Sequence, residues 1–178
     1  LDICLTSSQK ALALPPGLAF AAVSDRVLAR ANEVSGRGWY FDFLLLDKYL
    51  TKNTTPATPA ISLLRAADCQ LDHILAEGLA SRVERHHRLA AMTQQWALAH
   101  GFGLFAAEGH RSRTVTCVEN TPGIDYSALS KFLKARGVAI SNGYGDLKGK
   151  TFRVAHMGDV TDAEMREVLD TISEFLAE

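Results

Sequence analysis

The sequence predicts an α/β protein that ends in an α+β layer of about four short strands with helices packed on it. Three observations carry that expectation. Two apolar runs of strand length, Leu1-Asp2-Ile3-Cys4-Leu5 and Leu18-Ala19-Phe20-Ala21-Ala22-Val23, flank a turn-rich segment. From Leu104 onward, short strand-like runs alternate with helical patterns. The last segment carries Met165, Val168, Leu169, Ile172, Phe175 and Leu176 at helical spacing.

Composition narrows the function classes. The 178 residues include 19 basic and 20 acidic side chains, so no basic stripe argues for nucleic acid. No apolar run is long enough to span a bilayer. Cys4, Cys69 and Cys117 are far apart and form no CxxC pair, so neither a metal site nor a disulfide framework is expected. A reducing, cytoplasmic setting is the simplest reading. The chain opens inside a strand-like run without a methionine, which reads as the C-terminal part of a longer protein.

In chain order, the first apolar run reads as the end of a buried strand. Next comes Ser7-Ser8-Gln9-Lys10-Ala11-Leu12-Ala13-Leu14-Pro15-Pro16-Gly17. Lys10 is the sole charged residue between Asp2 and Asp25. Apolar flanks put its amine at risk of desolvation, which would leave it available as a nucleophile or Schiff-base partner. Pro15-Pro16-Gly17 fixes two φ angles and then supplies a residue free to take positive φ. On composition alone, a solvated loop lysine would be the ordinary outcome.

The second run is a strand, and Ser24 is placed to cap a helix over 25–31. Residues 35–38 are a loop, and 39–50 a short helix or helical turn. Residues 51–59 hold four threonines and two prolines, so no regular helix fits. That stretch should be extended and exposed, or packed on something outside the chain. A helix is predicted over 60–79. Ser81 with Glu84 makes a capping-box signature for a second helix ending at Gly101 and Gly103. His86 and His87 fall in its charged part and are expected on a solvated face.

Residues 104–107 and 114–118 read as strands, with Cys117 a buried structural thiol. Asp125 caps a helix reaching Arg136, with Leu129, Phe132 and Leu133 inward. Residues 138–141 and 151–157 are short strands, and Thr161 with Glu164 is a second capping box. In the strand over 151–157, Phe152 and Val154 share one face. Arg153 points to the other, where its planar fork suits a carboxylate. His156 follows with no assigned role. Asn142-Gly143-Tyr144-Gly145 before Gly149 has the wrong spacing for a dinucleotide loop.

Three of these segments, in order, resemble a known family. They are Ser8-Gln9-Lys10-Ala11-Leu12 with Pro15-Pro16-Gly17, Thr55-Pro56-Ala57-Thr58-Pro59, and Gly149-Lys150-Thr151-Phe152-Arg153-Val154-Ala155-His156-Met157-Gly158. They are similar to the class V, fold-type I pyridoxal-phosphate aminotransferases, nearest to the alanine–glyoxylate and serine–glyoxylate (serine–pyruvate) enzymes. The resemblance covers most of the chain. It implies that residues 1–80 are the C-terminal part of the cofactor-binding large domain with a linker helix, and 81–178 the small C-terminal domain. It implies that Lys10 carries pyridoxal 5′-phosphate and that Gln9 helps bind its phosphate. Thr55 would reach the phosphate of a partner subunit across a homodimer interface, and Arg153 would bind the substrate α-carboxylate. Close relatives carry a tyrosine where this chain has Lys52. The implied substrates are a small amino acid, alanine or serine, and a small 2-oxo acid, glyoxylate or pyruvate, with no nucleic acid, membrane or metal. The family's phosphate loop, ring-stacking aromatic and pyridine-nitrogen aspartate lie before its lysine segment and are not in this chain.

Two alternatives compete. A cysteine desulfurase or related class V lyase shares the fold, but a histidine precedes the lysine there, where this chain has Gln9. It also needs a reactive loop cysteine. The other alternative is a non-catalytic C-terminal fragment that folds or dimerises without a cofactor pocket.

Overall fold

The computed structural model describes residues 1–178, which form two compact units, 1–73 and 74–178.

In the first unit, β1 (Ile3–Ser7) and β2 (Ala19–Val23) pair antiparallel, from Ile3 opposite Val23 to Ser7 opposite Ala19. β1 is exposed along most of its length, including Ile3 and Leu5. This corrects the expectation of a buried strand: a two-stranded sheet has no further layer within the unit to cover it. Ser24 caps α1 (Asp25–Glu33), its hydroxyl accepting from the Val27 amide. Asp42 caps α2 (Phe43–Leu50) and also holds the Arg37 guanidinium at 3.0 Å. That contact keeps the Asp42 carboxyl below its ordinary range. Residues 51–59 run through turns and bends and are mostly exposed. α3 (Ile61–Glu77) begins in this unit. Ser8, Ala67 and Gln70 are the unit's buried residues, while Trp39, Tyr40, Phe41 and Leu50 lie in the open.

The second unit has a conventional core. A single residue, Gly78, separates α4 (Leu79–Ala99) from the end of α3. The expected start at Ser81 is corrected, because Gly78 makes the break at φ +82° and Ser81 and Glu84 lie inside the helix. Gly78 closes α3 through its N–H to the Ile74 carbonyl and offers its own carbonyl to the Arg82 amide. Four strands follow: β3 (Gly103–Leu104), β4 (Val115–Glu119), β5 (Ser141–Asn142) and β6 (Thr151–Ala155). Their order is β3-β4-β6-β5, all antiparallel. α5 (Tyr126–Lys134), capped by Asp125, and α6 (Asp162–Leu176) complete the unit. Thr161 and Glu164 form the predicted reciprocal capping box.

Leu89, Val118, Leu129, Leu133, Phe152 and Ile172 form the centre of the core. α4 turns Arg82, His86, Leu89, Ala90, Thr93 and Ala97 inward, a spacing of three and four residues. His86 is therefore buried, not solvated, with Nδ1 at 2.7 Å from the Arg82 carbonyl. Polar residues on the inward stripe hid that face from a reading based on hydrophobic periodicity. No helix is long and apolar enough to cross a membrane.

Candidate active site

Lys10 sits on a tight turn between β1 and β2, and Ser8 holds that turn. Ser8 is fully buried. Its hydroxyl donates to the Pro15 carbonyl at 2.7 Å and accepts from the Leu18 amide at 3.2 Å. Its backbone N–H donates to the Leu18 carbonyl, and its carbonyl accepts from the Leu14 amide. The Lys10 carbonyl accepts from the Ala13 amide at 2.9 Å, which brings Ala13 to φ +54°. Gly17 takes φ +138°, a conformation that strains any residue with a side chain, and a Cβ there would also push against Leu63 Cδ1 at 2.6 Å.

The turn therefore projects Gln9 and Lys10 outward, and both are exposed. This corrects the expected desolvation of Lys10 within the unit: the apolar neighbours in sequence do not enclose its amine. The Lys10 ammonium makes no ion pair or hydrogen bond, and neither does the Gln9 amide. Thr55 is also exposed, and its hydroxyl donates to the Ala57 carbonyl at 2.7 Å. Thr55 makes no hydrogen bond to Gln9 or Lys10. Lys52 is exposed as well. Gln9, Lys10 and Thr55 belong to the first unit and Arg153 to the second.

Arg153 lies on β6 between Phe152 and Val154, each about 1% exposed. Its side chain leaves by the opposite face, half-buried, as the alternation predicted. Nε donates to the Asn142 carbonyl at 3.0 Å, and the Tyr144 ring lies 4.3 Å from the guanidinium carbon. Arg153 makes no ion pair, so its terminal Nη groups are open to a carboxylate.

The chain before Arg153 is closed as firmly as the lysine turn. Asn142 Oδ1 accepts from the Gly143 and Gly149 amides at 2.8 and 2.9 Å. Gly143 also donates to the Thr151 carbonyl, and a Cβ there would lie 2.2 Å from the Leu147 carbonyl oxygen. A single 3₁₀ turn (Gly145–Leu147) follows, not the helix that a dinucleotide loop would require.

His156 continues the inward alternation of Phe152 and Val154 and is 0% exposed. Nε2 sits 2.9 Å from the Thr116 hydroxyl, while Nδ1 has no hydrogen-bond partner. Burial, with the nearby His86 imidazole adding to it, pushes its pKa down to about 4. At the end of α3, Glu77 binds Arg85 at 2.7 Å and Arg82 at 2.8 Å. Those guanidinium groups, Arg85 foremost, bring the Glu77 pKa down to about 2. Arg82 also reaches Asp159, and Arg85 donates to the Val160 and Gly158 carbonyls. This network ties the start of α4 to the chain between β6 and α6.

Sequence reasoning missed Ser8, Asn142 and Tyr144 as organisers. A small hydroxyl two residues before a lysine gives no signal of the two backbone partners it will find. The strand parity of His156 was the one available clue to its burial.

The residues present fit the lysine side of a pyridoxal-phosphate site. An unpaired, solvent-accessible amine stands on a turn that a buried serine fixes, with a free amide beside it. Cys4 lies in β1, Cys69 in α3 and Cys117, half-buried, in β4, so all three thiols are in regular elements, not in a loop.

Comparison with known proteins identifies the family. The family description "Aminotransferase class-V" matches residues 1–148. An uncharacterized aminotransferase of Methanocaldococcus jannaschii is 40% identical over 176 residues, which is 97% of this chain and 45% of that protein. The serine–glyoxylate aminotransferase of Arabidopsis thaliana is 33% identical over 168 residues, 93% of this chain and 42% of that protein. An alanine–glyoxylate aminotransferase crystal structure from Nostoc superposes with a TM-score of 0.89 at 26% identity, covering 99% of this chain and 48% of that one. The chain spans about half the length of the curated relatives it matches. Its fold is that of the fold-type I aminotransferases over that half. By sequence match and by superposition alike, the chain belongs to the class-V aminotransferase family.

Proposed function

We propose that this chain supplies the cofactor lysine and the substrate-carboxylate arginine of a pyridoxal-phosphate-dependent aminotransferase. The enzyme would move an amino group from a small amino acid, alanine or serine, to a small 2-oxo acid, glyoxylate or pyruvate. One observation carries the reading: Lys10 is an unpaired amine on a turn whose backbone is fixed by Ser8. The serine–glyoxylate and alanine–glyoxylate aminotransferases among its relatives support the substrate class.

Pyridoxal phosphate, when bound, supplies an electron sink for the substrate α-carbon. Lys10 Nζ holds the cofactor between turnovers. During turnover it would be a free amine that takes the proton from the substrate α-carbon as general base and hands it on, to a different carbon, as general acid. Gln9 assists at the phosphate. Thr55 serves the partner's cofactor phosphate, for which its hydroxyl turns away from the Ala57 carbonyl. Arg153 grips the α-carboxylate and so orients the α-carbon.

The same reading assigns residues 1–80 to the large domain with its linker helix, and 81–178 to the small domain. The compact units 1–73 and 74–178 support that division. It also calls for a homodimer with the site at the interface, which the exposed threonine segment and the uncovered apolar residues of the first unit support. Three free thiols favour a reducing, cytoplasmic setting.

The test is chemical. The full-length protein is loaded with pyridoxal phosphate, reduced with borohydride, digested and mapped. The label is expected on Lys10, and a label on another lysine refutes the assignment.

A further inference from the structure

We propose that Tyr144 is a positioning residue that presets Arg153 for an end-on grip of the amino-acid carboxylate through Nη1 and Nη2. This rests on the reading of Arg153 as the carboxylate-binding residue and deepens it.

A guanidinium offers a carboxylate two edges, one made by Nε with an Nη and one made by the two Nη groups. In Arg153 the first edge is engaged, because Nε donates to the Asn142 carbonyl at 3.0 Å. That carbonyl is well placed because Ser141 pairs directly with Arg153 across β5 and β6. The second edge is open. One face of the guanidinium is covered by the Tyr144 ring at 4.3 Å.

The ring is held there by its backbone. Asn142 Oδ1 closes the segment 142–149 onto itself through two amides. Gly143 sits where no side chain fits, and the Tyr144 carbonyl accepts from the Leu147 amide at 2.9 Å. Tyr144 is 75% exposed, so it adds little to the core. A large aromatic kept in water on a rigid turn acts through what it touches. Here it shields one face of a cation and restricts rotation of the guanidinium plane. A carboxylate arriving in that plane meets a fork already aimed, and less ordering is left for binding to impose.

The contact acts on carboxylate binding and leaves proton transfer at Lys10 alone. In the full-length holoenzyme, Tyr144→Ala should raise KM for the amino donor about threefold to fivefold, the scale of a solvent-exposed cation–π contact, with kcat within about twofold. Tyr144→Phe keeps the ring and should behave as the unmutated enzyme. Two readouts do not depend on turnover. The dissociation constant for propionate, measured by calorimetry on the cofactor-free protein, should rise by the same factor in Tyr144→Ala. The Arg153 Nε–Hε resonance should broaden in that variant alone. Equal loss in kcat and KM, or an unchanged propionate affinity in Tyr144→Ala, overturns the proposal. Arg153→Lys separates the two readings. If it leaves propionate affinity intact, the carboxylate role of Arg153 falls. If it abolishes affinity while Tyr144→Ala does nothing, only the role of Tyr144 falls.

Discussion

His156 should make the second unit acid-sensitive in a defined window. The folded state holds its imidazole neutral, with a pKa of about 4, while an unfolded chain takes up a proton near the ordinary value of 6.5. Below about pH 6.5 the unfolded state therefore binds more protons than the folded one, and stability falls as pH falls. The loss levels off near pH 4, where the folded imidazole also titrates. Integrated over the whole window the shift amounts to about 3 kcal/mol, of which about 2 kcal/mol is lost between about pH 7 and pH 5. The groups facing His156 are the Thr116 hydroxyl on β4, the backbone of Arg113 and the His86 imidazole on α4. None is a carboxylate that would welcome the proton.

Hydrogen exchange of the β4 and β6 amides in the full-length protein reads the opening free energy of this sheet directly. It should drop by about 2 kcal/mol between about pH 7 and pH 5, and His156→Gln should flatten that dependence. The imidazole resonances of His156 provide a second measurement that needs no variant. A His156 titration midpoint above about 6 would refute the reasoning, as would an unchanged pH slope in His156→Gln.

Other consequences follow from the same geometry. Glu77, with its pKa brought down to about 2 by Arg85 and Arg82, stabilises the protein above its ordinary 4.5 and loses that contribution as pH falls toward 2. A second, more acidic unfolding step that disappears in Glu77→Gln is the expected signature. Ser8→Ala leaves the Pro15 carbonyl and the Leu18 amide without their partner, a cost of about 1–3 kcal/mol. Limited proteolysis should then cut within residues 9–17, and cofactor should dissociate faster. Arg153→Lys keeps the charge but loses the fork, and should lower kcat/KM by roughly two to three orders of magnitude while cofactor absorbance persists. Thr55→Ala should weaken cofactor binding in the dimer by about 1–2 kcal/mol, and an active monomer with unchanged affinity would contradict it.

Much of this protein was legible from local chemistry. Ser24, Asp125 and Thr161 announced their helices because an N-cap needs one side-chain oxygen in reach of an amide two or three residues on. The parity of Phe152, Arg153 and Val154 was legible for the same reason: strand alternation is set by the backbone alone. The order of three short motifs around Lys10, Thr55 and Arg153 sufficed to point to the family.

What the sequence could not supply were facts that depend on distant partners. A capping-box signature marked the start of α4 at Ser81, yet Gly78 decides it, because the left-handed φ there ends one helix and opens the next. His86 looked solvated because its neighbours are charged, and it is buried because α4 turns that stripe onto the sheet. Lys10 looked enclosed by apolar residues, and Ser8 turns it outward through bonds to Pro15 and Leu18, seven and ten residues away. Burial and hydrogen-bond partnership are properties of what the fold brings alongside a residue, and only the tertiary structure decides them.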